Sequence, residues 1–142
     1  MSKNLQLELL EHYPIRDVAI GLNEPSGLAL NRSGSKLYTV SDDTKAIFNL
    51  NLQGKFIANS SFRVELNDLE GLALTSDDNE IIVVQESSNS VVRFDIVNRK
   101  EIRRTPLSAM KNYDQIANHF RNEAHNKGLE GITINFSNDH IF

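Results

Sequence analysis

The tetrad Gly27-Leu28-Ala29-Leu30 returns unchanged as Gly71-Leu72-Ala73-Leu74, 44 residues later. The same gap-free offset lays Leu37-Tyr38-Thr39-Val40 over Ile81-Ile82-Val83-Val84 and Ile47-Phe48-Asn49-Leu50 over Val91-Val92-Arg93-Phe94. A third copy starts at Gly131-Ile132-Thr133-Ile134, 60 residues after Gly71. Internal periodicity of this length constrains the fold more than any single motif, because each repeat is one supersecondary unit that buries its apolar faces only against its neighbours.

Each unit reads as short strands with polar turns between them. Leu28–Leu30 and Leu72–Leu74 are compact first strands, followed by Asn31-Arg32-Ser33-Gly34-Ser35 in one copy and Thr75-Ser76-Asp77-Asp78-Asn79 in the other. Such residues bond their own backbone and accept positive φ, which suits tight turns. Second strands are Leu37–Val40 and Ile81–Val84, and third strands are Ala46–Leu50 and Ser90–Asp95. A fourth covers Phe56–Leu66 with a break near Asn59, with a counterpart at Ile15–Ile20, and Arg99–Arg104 is the next. Four strands in roughly 40–45 residues is the size of a propeller blade. A sandwich or barrel would reach the same spacing only by coincidence, and three matched strands argue against that.

The fold expected is therefore all-β, a partial β-propeller of four-stranded blades with a short helical insertion. Blade units fall near 15–55, 56–105 and 127–142. The insertion, 106–126, carries Met110, Tyr113, Ile116, Ala117 and Phe120 at helical spacing, with Ser108 as the expected cap. Closed propellers have roughly 4–8 blades, so the units present make about half of a six-bladed ring. The expectation is a fragment of a longer parent, or a chain that self-associates through open strand edges.

Composition excludes several functions. Charged residues are 24% with a net charge of −4 and both signs mixed, so no basic stripe marks a nucleic-acid partner. There is no cysteine, hence no disulfide and no thiolate metal site. No segment offers the roughly 20 apolar residues of a membrane span. The N-terminus does not read as a signal peptide. There is no Gly-x-Ser-x-Gly elbow, phosphate loop or EF-hand spacing. His12, His119, His125 and His140 are scattered.

What remains is an acidic rim. In an antiparallel hairpin the start of the first strand lies beside the end of the second. Asp68 and Glu70 precede one first strand and Glu86 follows its partner; Glu24 precedes the earlier one, and Asp42 and Asp43 follow. Glu130 precedes Gly131. Glu24, Asp42, Asp68, Glu70, Glu86 and Glu130 are the candidate metal ligands. Crowded carboxylates repel, and a hard cation relieves that; calcium takes 6–8 oxygens with tolerant geometry. Magnesium is the other candidate, and the bland reading is that these acids cap turns. Asp77-Asp78 lies at the opposite hairpin end and reads as a turn.

Glu24-Pro25-Ser26-Gly27-Leu28-Ala29, Asp68-Leu69-Glu70-Gly71-Leu72-Ala73, Glu86-Ser87-Ser88-Asn89 and Asn126-Lys127-Gly128-Leu129-Glu130-Gly131-Ile132 together resemble the SdiA-regulated family of bacteria. It is similar to NHL-repeat propellers and to esterase-like phytase propellers. The resemblance, over roughly residues 13–142, implies a six-bladed propeller usually exported to the cell envelope or periplasm, with calcium in an acidic channel mouth. Without an export signal in this stretch, the cytoplasm is the other location.

Three functions stand open: a calcium-supported propeller binding a small molecule or a partner; a metal-dependent hydrolase of phosphoesters or lactones, with Glu70 or Glu86 as base and Lys45 or Lys127 near the rim; and a structural remnant. Fold alone assigns none of them.

Overall fold

Blade-like antiparallel sheets, the arrangement expected from the repeat, are what the computed structural model contains. It describes residues 5–41, 43–120 and 128–142. The first sheet is β1 (Pro25–Leu30), β2 (Leu37–Ser41), β3 (Thr44–Leu50) and β4 (Phe62–Arg63), ordered as in the chain. The second repeats it with β5 (Leu69–Leu74), β6 (Glu80–Gln85), β7 (Ser90–Asp95) and β8 (Lys100–Pro106). A third unit begins with β9 (Ile134–Asn135) and β10 (His140–Ile141). Sheet grouping thus joins 25–63 and 69–106, whereas the units read from sequence were placed at 15–55 and 56–105. Phe62–Arg63 closes the first sheet against Ala46 and Ile47 of β3.

Alternation along each strand supplies both blade faces. Ile81 and Val83 of β6 point into a core shared with Tyr38, Val40 and Ile47 of the first sheet, where Phe62, Val64 and Leu66 also pack. Ile82 and Val84 point the other way, into a cluster with Val91, Met110, Leu129, Ile132 and Ile134. β6 is therefore buried on both sides, which is why its sequence is a continuous apolar run rather than an alternating one. On the outer face of the first sheet, Leu22, Ala46, Phe48 and Leu50 are covered by Ile15, Ile20, Leu37 and Phe56.

Two expected elements differ. Ile15–Ile20 does not lie as a strand. Val18–Ile20 forms a single 3-10 turn, with the Asp17 carboxylate accepting from Ala19 N, Gly21 left-handed, and a bridge between Asp17 and Leu22. Among the described residues no third strand stands beside it to pair with, so the segment closes its hydrogen bonds locally. The insertion is also not one helix. It consists of 3-10 turns at Leu107–Ala109 and Tyr113–Gln115 and α1 (Ala117–Phe120). Ser108 sits inside the first turn instead of capping a helix, and Asn112, at φ 66°, interrupts the run. Leu107 and Ala117 still bury their side chains. Residues 121–127 lie outside the described residues.

Candidate binding rim

Both inner strands carry the same irregularity at the same place. Pro25 pairs with Ser41 and Leu28 with Thr39, leaving Ser26 and Gly27 opposite Val40 alone. Leu69 pairs with Gln85 and Leu72 with Val83, leaving Glu70 and Gly71 opposite Val84 alone. Two residues against one is a β-bulge, a device that re-aims side chains and bends the strand. Glu70 therefore emerges from a bulge, half-buried, at the end of β5. In register its equivalent in the first sheet is Ser26, while Glu24 corresponds to Asp68.

The glycines at the bulges let successive inner strands touch. A Cβ on Gly27 would lie 2.5 Å from the Glu70 carbonyl oxygen and 3.0 Å from Leu72 N. One on Gly71 would lie 2.8 Å from both Gly131 Cα and Ile132 N. Leu28–Leu30, Leu72–Leu74 and Ile132–Ile134, with Phe136, consequently line one cleft of about 230 Å³. No ionisable side chain lines it.

The candidate carboxylates do separate jobs around this convergence. Glu86 Oε1 accepts from Gly128 N at 3.0 Å, and Asn89 Oδ1 accepts from Leu129 N at 3.2 Å. The turn Glu86–Asn89 thus clamps the approach to the third inner strand, so closely that a Cβ on Gly128 would overlap Glu86 Cγ. Asp68, at φ 53°, receives Glu86 N on its carbonyl oxygen at 3.0 Å. Glu24 is exposed and its N–H donates to Ser41 Oγ at 3.3 Å. Glu130 is exposed. Asp42 lies outside the described residues. Its neighbour Asp43 accepts from Asn23 Nδ2 at 2.9 Å, Ser41 Oγ at 2.7 Å and Thr44 Oγ1 at 3.1 Å. The Asn23 and Ser41 bonds hold the Asp43 carboxyl below its ordinary range, because they favour the charged form.

Among the described residues no three of His, Asp and Glu come together as a group that could hold a metal. Glu86 Oε1 is engaged by the Gly128 N–H, and the Asp43 carboxylate by Asn23, Ser41 and Thr44. Of the two lysines placed near the rim by position, Lys45 is exposed and Lys127 lies outside the described residues.

One set of residues was missed by sequence reasoning. Asp78 accepts Arg32 N of the preceding unit at 2.9 and 3.1 Å, while Arg32 Nη1 donates to Ser76 O at 2.8 Å. Asp139 in turn accepts Ser76 N at 3.1 Å. At the hairpin tips of the second and third units a carboxylate therefore reaches back to a backbone N–H one unit earlier. Asp77 does serve its own turn, bonding Thr75 Oγ1 at 2.7 Å and Asn79 N at 3.1 Å. The only advance sign of the relay was the offset that aligns Arg32 with Ser76.

A search of curated proteins finds no match. Among solved structures, the nidogen/laminin complex is similar with a TM-score of 0.56 and 20% identity, over 80% of this chain and 35% of that one. Streptogramin B lyase has a TM-score of 0.47 and 18% identity, over 67% and 29%. Hydrazine synthase of Kuenenia stuttgartiensis has a TM-score of 0.49 and 16% identity, over 58% and 24%. The chain spans no more than about a third of the length of these structures, 35% at most. The nidogen likeness shows a propeller fold and nothing of function. The family model described as SdiA-regulated matches residues 6–142, nearly the whole chain, and with its bulged inner strands and four-stranded sheets this protein belongs to the SdiA-regulated family.

Proposed function

We propose that this chain is the binding part of a propeller and does not itself catalyse a reaction. The observation that carries this reading is the convergence of three inner strands on one cleft of about 230 Å³. Glu70 and Glu130 stand at equivalent positions just before its walls. An apolar wall with a few polar groups at one end suits a small organic ligand. The hydrolase reading asks for a base paired with a second charged group beside the reacting atoms, and among the described residues no such pair supports it. Calcium enters the proposal only as a support for the rim, with Glu70 and Glu130 the carboxylates to offer it. The family's usual export supports a role in the cell envelope.

Thermal unfolding of the chain and of Glu70→Gln tests both parts, in calcium, in EDTA and against a panel of small carboxylic and aromatic ligands. A ligand that binds only the folded state stabilises it by about 2.7 kcal/mol at 100 times its dissociation constant. A panel ligand that raises the midpoint, without being turned over, is the expected result. Turnover of a model phosphoester or lactone that disappears in Glu70→Gln defeats the binding reading. A calcium shift abolished by Glu70→Gln establishes the metal-supported rim; no calcium shift removes calcium from the proposal.

A further inference from the structure

We infer that a water molecule is held inside the joint between the first two sheets, seated on the side-chain amide of Asn49 beside the Tyr38 hydroxyl. Asn49 lies on β3 directly opposite Tyr38 of β2. Alternation puts it on the same side of the sheet as Ile47, and that side packs against Ile81, Val83, Val92 and Phe94 of the second sheet. Both of these sheets have four strands, so the position is enclosed by the chain itself. Asn49 is 0% exposed. Neither its Oδ1 nor its Nδ2 has a hydrogen-bond partner among the described residues.

The polar groups around Asn49 are committed elsewhere. Its own backbone N–H donates to Ser61 Oγ at 2.9 Å, and its carbonyl accepts from Ile57 N at 2.8 Å. The Ser61 hydroxyl donates in turn to Ile57 O at 3.1 Å. What remains is Tyr38. Burial raises its hydroxyl above the ordinary phenol range; Asn49 works against that rise and Asp78 adds to it. Amide and hydroxyl are thus near neighbours, yet they do not meet in hydrogen-bond geometry.

A buried amide left unbonded is costly, and buried polar groups in folded proteins almost always have a protein or water partner. An asparagine side chain offers two N–H donors and an acceptor oxygen, more than one hydroxyl can answer. Water is the ligand that fits: it is neutral, it donates and accepts at once, and it is small enough for an enclosed joint. Buried waters typically make about three bonds to groups otherwise unpaired. The second unit gives the contrast. Tyr38 and Asn49 align with Ile82 and Arg93 at the 44-residue offset. Ile82 has no hydroxyl, and Arg93 Nε donates to Glu80 Oε2 at 2.7 Å, so these positions form no such seat.

A high-resolution crystal structure of the chain, with nuclear Overhauser spectra against water, tests this. The expected density is one ordered water within hydrogen-bond distance of both the Asn49 amide and the Tyr38 hydroxyl. In solution the Asn49 amide protons should show a cross-peak to water with the sign of a long-lived, protein-bound molecule. Tyr38→Phe should keep that cross-peak, which separates a bound water from proton exchange through the hydroxyl. Asn49→Leu should lose the water density beside Tyr38. An Asn49 amide bonded directly to a protein group, with no water on it, overturns the proposal. So does a cross-peak that vanishes in Tyr38→Phe. Density that persists beside Tyr38 in Asn49→Leu overturns it too, because the hydroxyl would then be the seat. The parent and Tyr38→Phe carry the test should Asn49→Leu fail to fold.

Discussion

Gly27 and Gly71 do a job that no other residue type can do at those positions. The inner strands of adjacent units meet backbone to backbone there, and added atoms have no place to go. Gly27→Ala and Gly71→Ala should each destabilise by about 1–3 kcal/mol, the usual penalty for overpacking a well-filled contact. Gly131→Ala should be close to neutral, since its Cβ meets nothing within 4 Å. Urea unfolding midpoints of the three variants check the contrast, and equal losses at all three would refute it. The turn carboxylates make a second residue-scale prediction. Bonds from Asn23 and Ser41 lower the Asp43 carboxyl, those from Thr75 and Asn79 lower Asp77, and those from Asn98 lower Asp95. A folded-state pKa below the unfolded value gives stability that is present above the unfolded pKa and lost as pH falls through the folded one. These three should therefore contribute nothing to any change above about pH 4 and should lose their contribution below it. Replacing all three with Asn should flatten the dependence of the urea midpoint on pH below about 4.

At the scale of elements, the Glu86–Asn89 turn is a clamp on the third inner strand. Glu86→Ala removes a charge-assisted bond to Gly128 N, an interaction worth roughly 1.5–3 kcal/mol. Glu86→Gln keeps an acceptor and should lose less. Amide exchange at Ile132–Ile134 reads the result directly, because this strand depends on the clamp for its approach. Much of this level was legible in the sequence. The paired Gly-Leu-Ala-Leu tetrads and the gap-free offset were enough to place β1, β2, β3 and their repeats, since a bulge present in both copies leaves the spacing intact. The Glu-Gly pairs marked where strands converge. What could not be read was which partner each acid takes. An Asp in a turn looks the same whether it bonds its own loop, as Asp77 does, or a neighbour's backbone, as Asp78 does. Helical spacing in Met110–Phe120 was equally ambiguous, because short 3-10 turns also bury residues three apart, and Asn112 divides the run.

Across the whole molecule, stability is carried by joints between neighbouring units, so it should be graded along the arc rather than uniform. Such stacked architectures behave as sums of unit and nearest-neighbour terms. β6 lies in two joints at once, with Ile81 at 0%, Ile82 at 2%, Val83 at 0% and Val84 at 1% exposure. The third unit contributes only the two-residue strands Ile134–Asn135 and His140–Ile141. Most of its residues are exposed. Native-state hydrogen exchange should accordingly show β6 as the slowest segment, opening only with the global transition, while β9 and β10 exchange by local opening at far lower free energy. Val84→Ala separates the joints, because its side chain packs only toward the third unit. It should speed exchange at Ile132 and Ile134 more than at Tyr38 and Val40. Val83→Ala, whose side chain faces the first unit, should do the reverse. If both variants speed exchange evenly throughout, the arc unfolds as one cooperative block and the account of separate joints fails.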